Sequence, residues 1–181
     1  MPSRQVPIRT KLIYSAGEIT VSAKNAALNQ FLLFFYTDVV HLGPGLVSAA
    51  IFVGRLWDAC IDPAMGYVSD TTNSRWGRRR PFVALSSLPV GLGFYFLFAP
   101  PLWESWATFF YLTGAYLVLM TAFTVFATPY LAWGAELVQD YHERTEVVQI
   151  RSLFGVVGGV LGATLPIMIA RQYDDQRVGF A

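Results

Sequence analysis

Long apolar segments follow one another along this chain with little between them. Five stretches, at about residues 12–36, 46–68, 81–99, 105–133 and 148–170, are each long enough to cross a hydrocarbon core of about 30 Å as a helix. Inside a bilayer every backbone N–H and C=O must be satisfied within its own segment, which leaves the helix as the form open to such stretches. The expected fold is therefore an all-α membrane protein, a helical transmembrane bundle. Composition agrees, since 54% of residues are hydrophobic against 14% charged and the mean hydropathy is +0.44.

Basic residues set the orientation. Arg4, Arg9 and Lys11 precede the first segment, and Arg75, Arg78, Arg79 and Arg80 lie between the second and third. Arg144 lies between the fourth and fifth, with Arg151 just inside the fifth, while the other two connections carry no Lys or Arg. The positive-inside rule then places the N-terminus and the Arg-rich loop in the cytoplasm. With five crossings the C-terminus falls outside, and the expected location is the cell (inner) membrane. No cleavable signal pattern precedes the first segment, which reads as a retained helix. A basic run pinned between two spans is a topology signal, so no nucleic-acid partner is expected. The single cysteine, Cys60, excludes a disulfide within the chain and any multi-cysteine metal site. His41 and His142 both fall near helix ends. With no nucleophile–base pair and no metal cluster, no enzyme, no catalytic residue and no cofactor is expected.

The second segment carries Arg55, Asp58 and Asp62, at offsets of three and four residues that put all three on one helical face. A lipid-facing charge costs roughly 2.5–3.5 kcal/mol on translocon scales, so three together would cost about 8–10 kcal/mol. That face must look into a protein interior or a wet cavity. Paired carboxylates there are hard oxygen ligands for a small cation, or proton carriers. A structural Arg55–Asp58 ion pair is the plainer alternative, but one Arg cannot neutralise two Asp. Asp58 and Asp62 are thus the expected site of a coupling ion, Na⁺ or H⁺.

In the first segment Ser15, Glu18, Ser22, Asn25 and Asn29 follow at steps of three and four and make one continuous polar stripe. Such a stripe either packs on other helices through hydrogen bonds or lines a path. Lys24 falls off it, and either snorkels or reaches toward Glu18 or the Asp pair. In the fifth segment two small-xxx-small pairs overlap, Gly155/Gly159 and Gly158/Gly162, and allow close approach of another helix. Arg151, one turn upstream, either snorkels to the cytoplasmic interface or points into the cavity. Pro129 frees a carbonyl near Val125 in the fourth segment. The bulky runs Phe31 to Tyr36 and Phe94 to Phe98 read as lipid-facing, and Trp103 and Trp106 as interfacial anchors.

Several blocks carry a resemblance. They are Trp57-Asp-Ala-Cys-Ile-Asp-Pro-Ala-Met-Gly66, Ser69-Asp70, Ser74-Arg-Trp-Gly-Arg-Arg-Arg-Pro-Phe82, Phe35-Tyr-Thr-Asp-Val-Val40, Pro129-Tyr130, Ala135-Glu-Leu137 and Tyr141-His-Glu-Arg-Thr145. Together they resemble the glycoside–pentoside–hexuronide:cation symporters of the major facilitator superfamily, over about residues 12–165. The resemblance implies cation-coupled transport of a sugar- or glycoside-like solute by alternating access. It implies that Asp58, Asp62 and Thr124 form the cation site and that Arg151 reaches substrate. Ser22, Asn25 and Lys24 become first-helix candidates for the same cavity. It further implies that Asp70 with Arg75, Arg78 and Arg79 forms a cytoplasmic loop that latches the two halves and governs gating.

Departures from the family pattern bear on the solute. Ser22 stands where melibiose-transporting members have an acid, Ala127 replaces a fourth-helix acid, Leu131 replaces a Trp, and Thr71 stands where many members have Arg. Galactoside recognition is therefore not expected, and Lys24 with Arg151 would suit an anionic solute. Facilitator-type transporters are built from two six-helix halves. With about five helices in residues 1–181, the chain is expected to form an incomplete N-terminal half, with the second half absent and no transport by itself. Expected partners are membrane lipid, a small solute and that missing half. Two alternatives remain: a lysolipid:cation symporter, or a non-transporting truncated protein that binds a full-length relative.

Overall fold

A computed structural model describes residues 6–72, 80–101, 104–138 and 140–170. Five long helices carry the chain: α1 Ile8–Phe34, α2 Pro44–Thr71, α3 Arg80–Phe98, α4 Ser105–Leu137 and α5 Tyr141–Ala170. Among the described residues there is no strand. The result is the expected all-α helical bundle. Among the described residues four helices are long and apolar enough to cross a membrane, at Pro44–Thr71, Pro81–Phe98, Ser105–Leu137 and Glu143–Met168. α1 has comparable length, 27 residues, but spends much of its surface on the polar stripe.

α1 runs without a break into a π-helical turn, Phe35–Val39, and the chain then reverses at His41, whose φ is 62°. The Leu42 N–H donates to the Tyr36 carbonyl at 2.8 Å and closes the turn. α2 begins on Pro44, where the missing N–H costs nothing and the fixed φ is already helical. Pro63, Pro89, Pro129 and Pro166 each lie inside a helix that continues past them.

Contact pairs give the directions. Along α1 and α5, Lys11 meets Glu146, Glu18 meets Arg151, Ile19 faces Gly158 and Ala23 faces Gly162. Both sets of numbers rise together, so these helices run parallel. The same holds for α2 and α4, where Gly54 faces Tyr116, Trp57 bonds Thr121 and Asp58 bonds Thr124. α1 and α4 cross with opposite sense, Tyr14 against Tyr130 and Lys24 against Phe123. α3 packs antiparallel on α4, with Gly93 at Leu119 and Phe96 at Tyr111. The pair α1/α5 is thus an inverted counterpart of α4/α2, as in transporters built from inverted repeats.

Glycine sets the spacing of α1 and α5. A Cβ on Gly158 would stand 2.5 Å from the Ile19 carbonyl oxygen, and one on Gly162 would strike the Ala23 backbone. A Cβ on Gly155 would come within 3.3 Å of both Ser22 and Glu18, while one on Gly159 meets nothing within 4 Å. The packing face is therefore 155/158/162, and Gly159 lies outside it.

The aromatic runs need correction. Phe31, Leu32, Phe35 and Tyr36 are buried, and only Leu33 and Phe34 stay exposed. The π-helical turn and the Tyr36 hydroxyl, which donates to the Leu97 carbonyl at 2.8 Å, draw the run into the bundle. Leu97 and Phe98 are buried with it, whereas Tyr95 and Phe96 remain on the surface. Trp106 is exposed, and Trp103 lies outside the described residues.

Candidate functional site

Two polar clusters occupy the contacts between helices. The first joins α1, α2 and α4 near the middle of each. The Thr124 hydroxyl donates to Asp58 Oδ1 at 3.0 Å. Thr124 is 1% exposed, so its hydroxyl is committed to this contact. One turn from Asp58, Asp62 is exposed on the same flank of α2. Arg55 makes no ion pair with either acid; its Nη2 donates to Asn29 Oδ1 on α1 at 3.3 Å. The simple Arg55–Asp58 bridge is therefore not how the acids are balanced. Trp57 faces away from the cluster and donates from Nε1 to Thr121 at 2.9 Å, fixing α2 against α4 beside the carboxylate.

Lys24 enters the same cluster from α1. It does not snorkel: the residue is 8% exposed, and its ammonium lies 3.6 Å from the centroid of the Phe123 ring. Phe123 immediately precedes Thr124, so one turn of α4 supports both Lys24 and Asp58. The charged neighbours of Lys24 in the cluster are Asp58, Arg55 and Asp62.

The second cluster joins α1, α4 and α5. It lies nearer the helix ends that carry Lys11 and Glu146, about 9 Å along α1 from Lys24 at 1.5 Å per residue. Arg151 Nε stands 3.1 Å from Glu18 Oε2, and Arg151 Nη1 donates to the Tyr14 hydroxyl at 3.5 Å. That Glu18 oxygen is buried and makes an ion pair without a hydrogen bond. Tyr14 is clamped in turn: it stacks on Tyr130 at 4.8 Å, meets Trp133 edge-on, and accepts at its carbonyl from the Tyr130 hydroxyl at 3.0 Å. Arg151 thus points inward, and with Arg144 it lines a pocket of about 90 Å³. Glu18 is the functional partner the sequence did not single out for Arg151. The clue was present, because Glu18 is the only acid on the polar stripe.

The other candidate residues are more scattered. Ser22 is half-buried against Gly155 of α5, near Glu18, and Asn25 is exposed. Asp70 is exposed near the end of α2. Arg75, Arg78 and Arg79 lie outside the described residues, so the latch they were expected to form with Asp70 is not described here. At the start of α1, Lys11 Nζ lies 2.7 Å from Glu146 and 3.6 Å from Glu143. The hydrogen bond that Lys11 donates to Glu146 raises the Lys11 pKa above its ordinary value, with burial opposing. With the carboxylates ionised, that tie is fully present below the ordinary lysine range and is lost as pH rises through the raised value.

Residues 13–180 match the family described as MFS/sugar transport protein. A symporter of Synechocystis sp., sll1374, is 32% identical over 97% of this chain and 34% of its own length. YagG of Escherichia coli, named for glycoside/cation symport, is 28% identical over 97% of this chain and 39% of its own. The sodium-dependent lysophosphatidylcholine symporter 1-A of Danio rerio is 31% identical over 90% of this chain and 30% of its own. The chain therefore spans between about a third and two fifths of the length of these relatives.

Proposed function

The chain belongs to the MFS/sugar transport protein family, and from that premise we propose that it supplies the cation-binding part of a cation-coupled symporter. It is an integral multi-pass membrane protein. The solute is a sugar or glycoside and moves by alternating access, with the N-terminus in the cytoplasm of a cell whose inner membrane holds the protein.

The observation that carries this reading is the Thr124–Asp58 hydrogen bond at mid-helix. A carboxylate held by a buried hydroxyl between two parallel helices is a half-built oxygen cage. Asp62 supplies further oxygens one turn away, and a Na⁺ or a proton completes the site. Arg151, held by Glu18 and Tyr14, offers a planar fork of donors to solute hydroxyl or carboxylate oxygens. The names of two relatives fit the same chemistry, one for glycoside/cation symport and one for sodium dependence. Asp70 with Arg75, Arg78 and Arg79 serves as the gating element in this reading.

A lysolipid is the second reading. It is favoured by the name of the Danio rerio relative and by an apolar groove of about 490 Å³ lined by Trp57, Leu85, Pro89, Leu117 and Val125. Uptake by cells expressing the complete reading frame separates the two. Na⁺- or pH-driven accumulation of labelled glycosides, and not of lysophosphatidylcholine, is expected. Accumulation of the lysolipid alone would replace the glycoside reading, and accumulation of neither would remove both.

A further inference from the structure

Charge accounting around Asp58 gives Lys24 a role of its own. Four formal charges share the cluster: Asp58 and Asp62 are negative, Arg55 and Lys24 positive. The sum is zero before any cation arrives. A Na⁺ or a proton taken up by the acids therefore leaves one positive charge over; Arg55 is exposed, but Lys24 is buried, where an unbalanced charge is costly. Arg55 has Asn29 to hold it. Lys24 has no hydrogen bond and no ion pair among the described residues, only the face of Phe123. An ammonium carries three donors, and a ring face offers about 0.5–2 kcal/mol. Lys24 is thus the group whose needs are least met once its acid is occupied.

We propose that Lys24 is the coupling charge: it balances Asp58 in the empty protein, and it binds an anionic, carboxylate-bearing solute when a cation takes Asp58. This rests on the symport reading above and deepens it. The cation and the solute then never compete, because each removes the penalty the other creates. Linkage makes the effect reciprocal, so the cation tightens solute binding by the same factor that the solute tightens cation binding. The inward reach of Lys24 toward α4 places this ammonium over Phe123, next to the Thr124 that bonds Asp58, and about two turns of α1 from Glu18, the partner of Arg151. A carboxylate therefore meets a cation at Lys24 that no protein acid holds after loading.

The test uses the complete reading frame purified into nanodiscs. Cation binding is read as Na⁺ affinity by calorimetry at pH 8 and as proton uptake on acidification without Na⁺. Each is measured alone, with glucuronate, and with neutral methyl glucoside. The expected wild type binds one of the two cations, more tightly by fivefold or more with glucuronate and unchanged with methyl glucoside. Lys24→Met, close in volume, should bind the cation about tenfold more tightly alone and lose the glucuronate effect. Lys24→Arg should keep the wild-type pattern. Unchanged or weakened cation binding in a folded Lys24→Met, or a glucuronate effect that survives it, overturns the coupling role and leaves the symport reading standing. A wild type that binds neither cation overturns both.

Discussion

Thr124 Oγ1 lies 3.0 Å from Asp58 Oδ1, and this contact joins two helices that run parallel through the bundle. The carboxylate is already aimed before any ion reaches it, so a cation meets one fixed oxygen and a hydroxyl at once. Removing the hydroxyl should weaken cation binding without unfolding the chain. A hydrogen bond to a charged group is worth about 1.5–3 kcal/mol, and polar contacts between membrane helices average nearer 0.6 kcal/mol. Thr124→Ala should therefore lower cation affinity by about three- to tenfold, and Thr124→Ser should restore most of it. Direct titration of the purified variants checks both.

Glu18 and Arg151 should behave as a unit. Removing one member leaves the other's charge poorly solvated, and a fully buried pair broken in this way costs about 3–5 kcal/mol. Both side chains keep some solvent, 17% for Glu18 and 30% for Arg151, so about 1–2 kcal/mol is expected for each single Ala variant after allowing for screening. The double variant should be less destabilised than the two singles added together. Thermal unfolding in detergent across the four proteins measures that coupling, and strict additivity would show that the contact contributes nothing.

The helix interface gives a sharper structural contrast. Gly158 touches the α1 backbone and Gly159 faces open space, though they are neighbours in the chain. Gly158→Ala should cost about 1–3 kcal/mol by forcing α1 and α5 apart. Gly159→Ala should be neutral or slightly stabilising, because it replaces a poor helix former with the best one. Equal effects in the two variants would contradict the packing described here.

The sequence made the helices legible because apolar length is a one-dimensional signal. The face shared by Arg55, Asp58 and Asp62 was legible for the same reason: spacing alone decides which residues of one helix lie together. Partners across helices were harder. Lys24 could be marked as off the polar stripe, but only the crossing of α1 over α4 puts it on Phe123. The residues alone left Arg151 open between snorkelling and facing the cavity, and it is the parallel pairing of α1 and α5 that brings Glu18 opposite it. The run Phe31 to Tyr36 looked lipid-facing because bulk and hydrophobicity do not say which side is protein. A π-helical turn and one tyrosine hydroxyl turned it inward. The Gly155/Gly159 pair failed for a related reason, since spacing names two possible faces and packing chooses one.

The two acids should not contribute equally. Asp58 is half-buried and hydrogen-bonded, while Asp62 is exposed on α2. Asp58→Asn removes the charge from a carboxylate that Thr124 already orients, and Asp62→Asn removes it from one that the Thr124 contact does not hold. Asp58→Asn should abolish cation dependence, and Asp62→Asn should weaken it by a smaller factor, as read by solute uptake against cation concentration.

The central claim is that the Asp58 carboxylate receives the coupling ion, and cation binding by the purified protein tests it most directly. Na⁺ affinity and proton uptake should be measured side by side for the wild type and Asp58→Asn, with circular dichroism confirming equal helicity. Saturable binding of one cation by the wild type, lost by at least tenfold in Asp58→Asn, is the predicted result. Undiminished binding of the same cation by a folded Asp58→Asn would contradict the account.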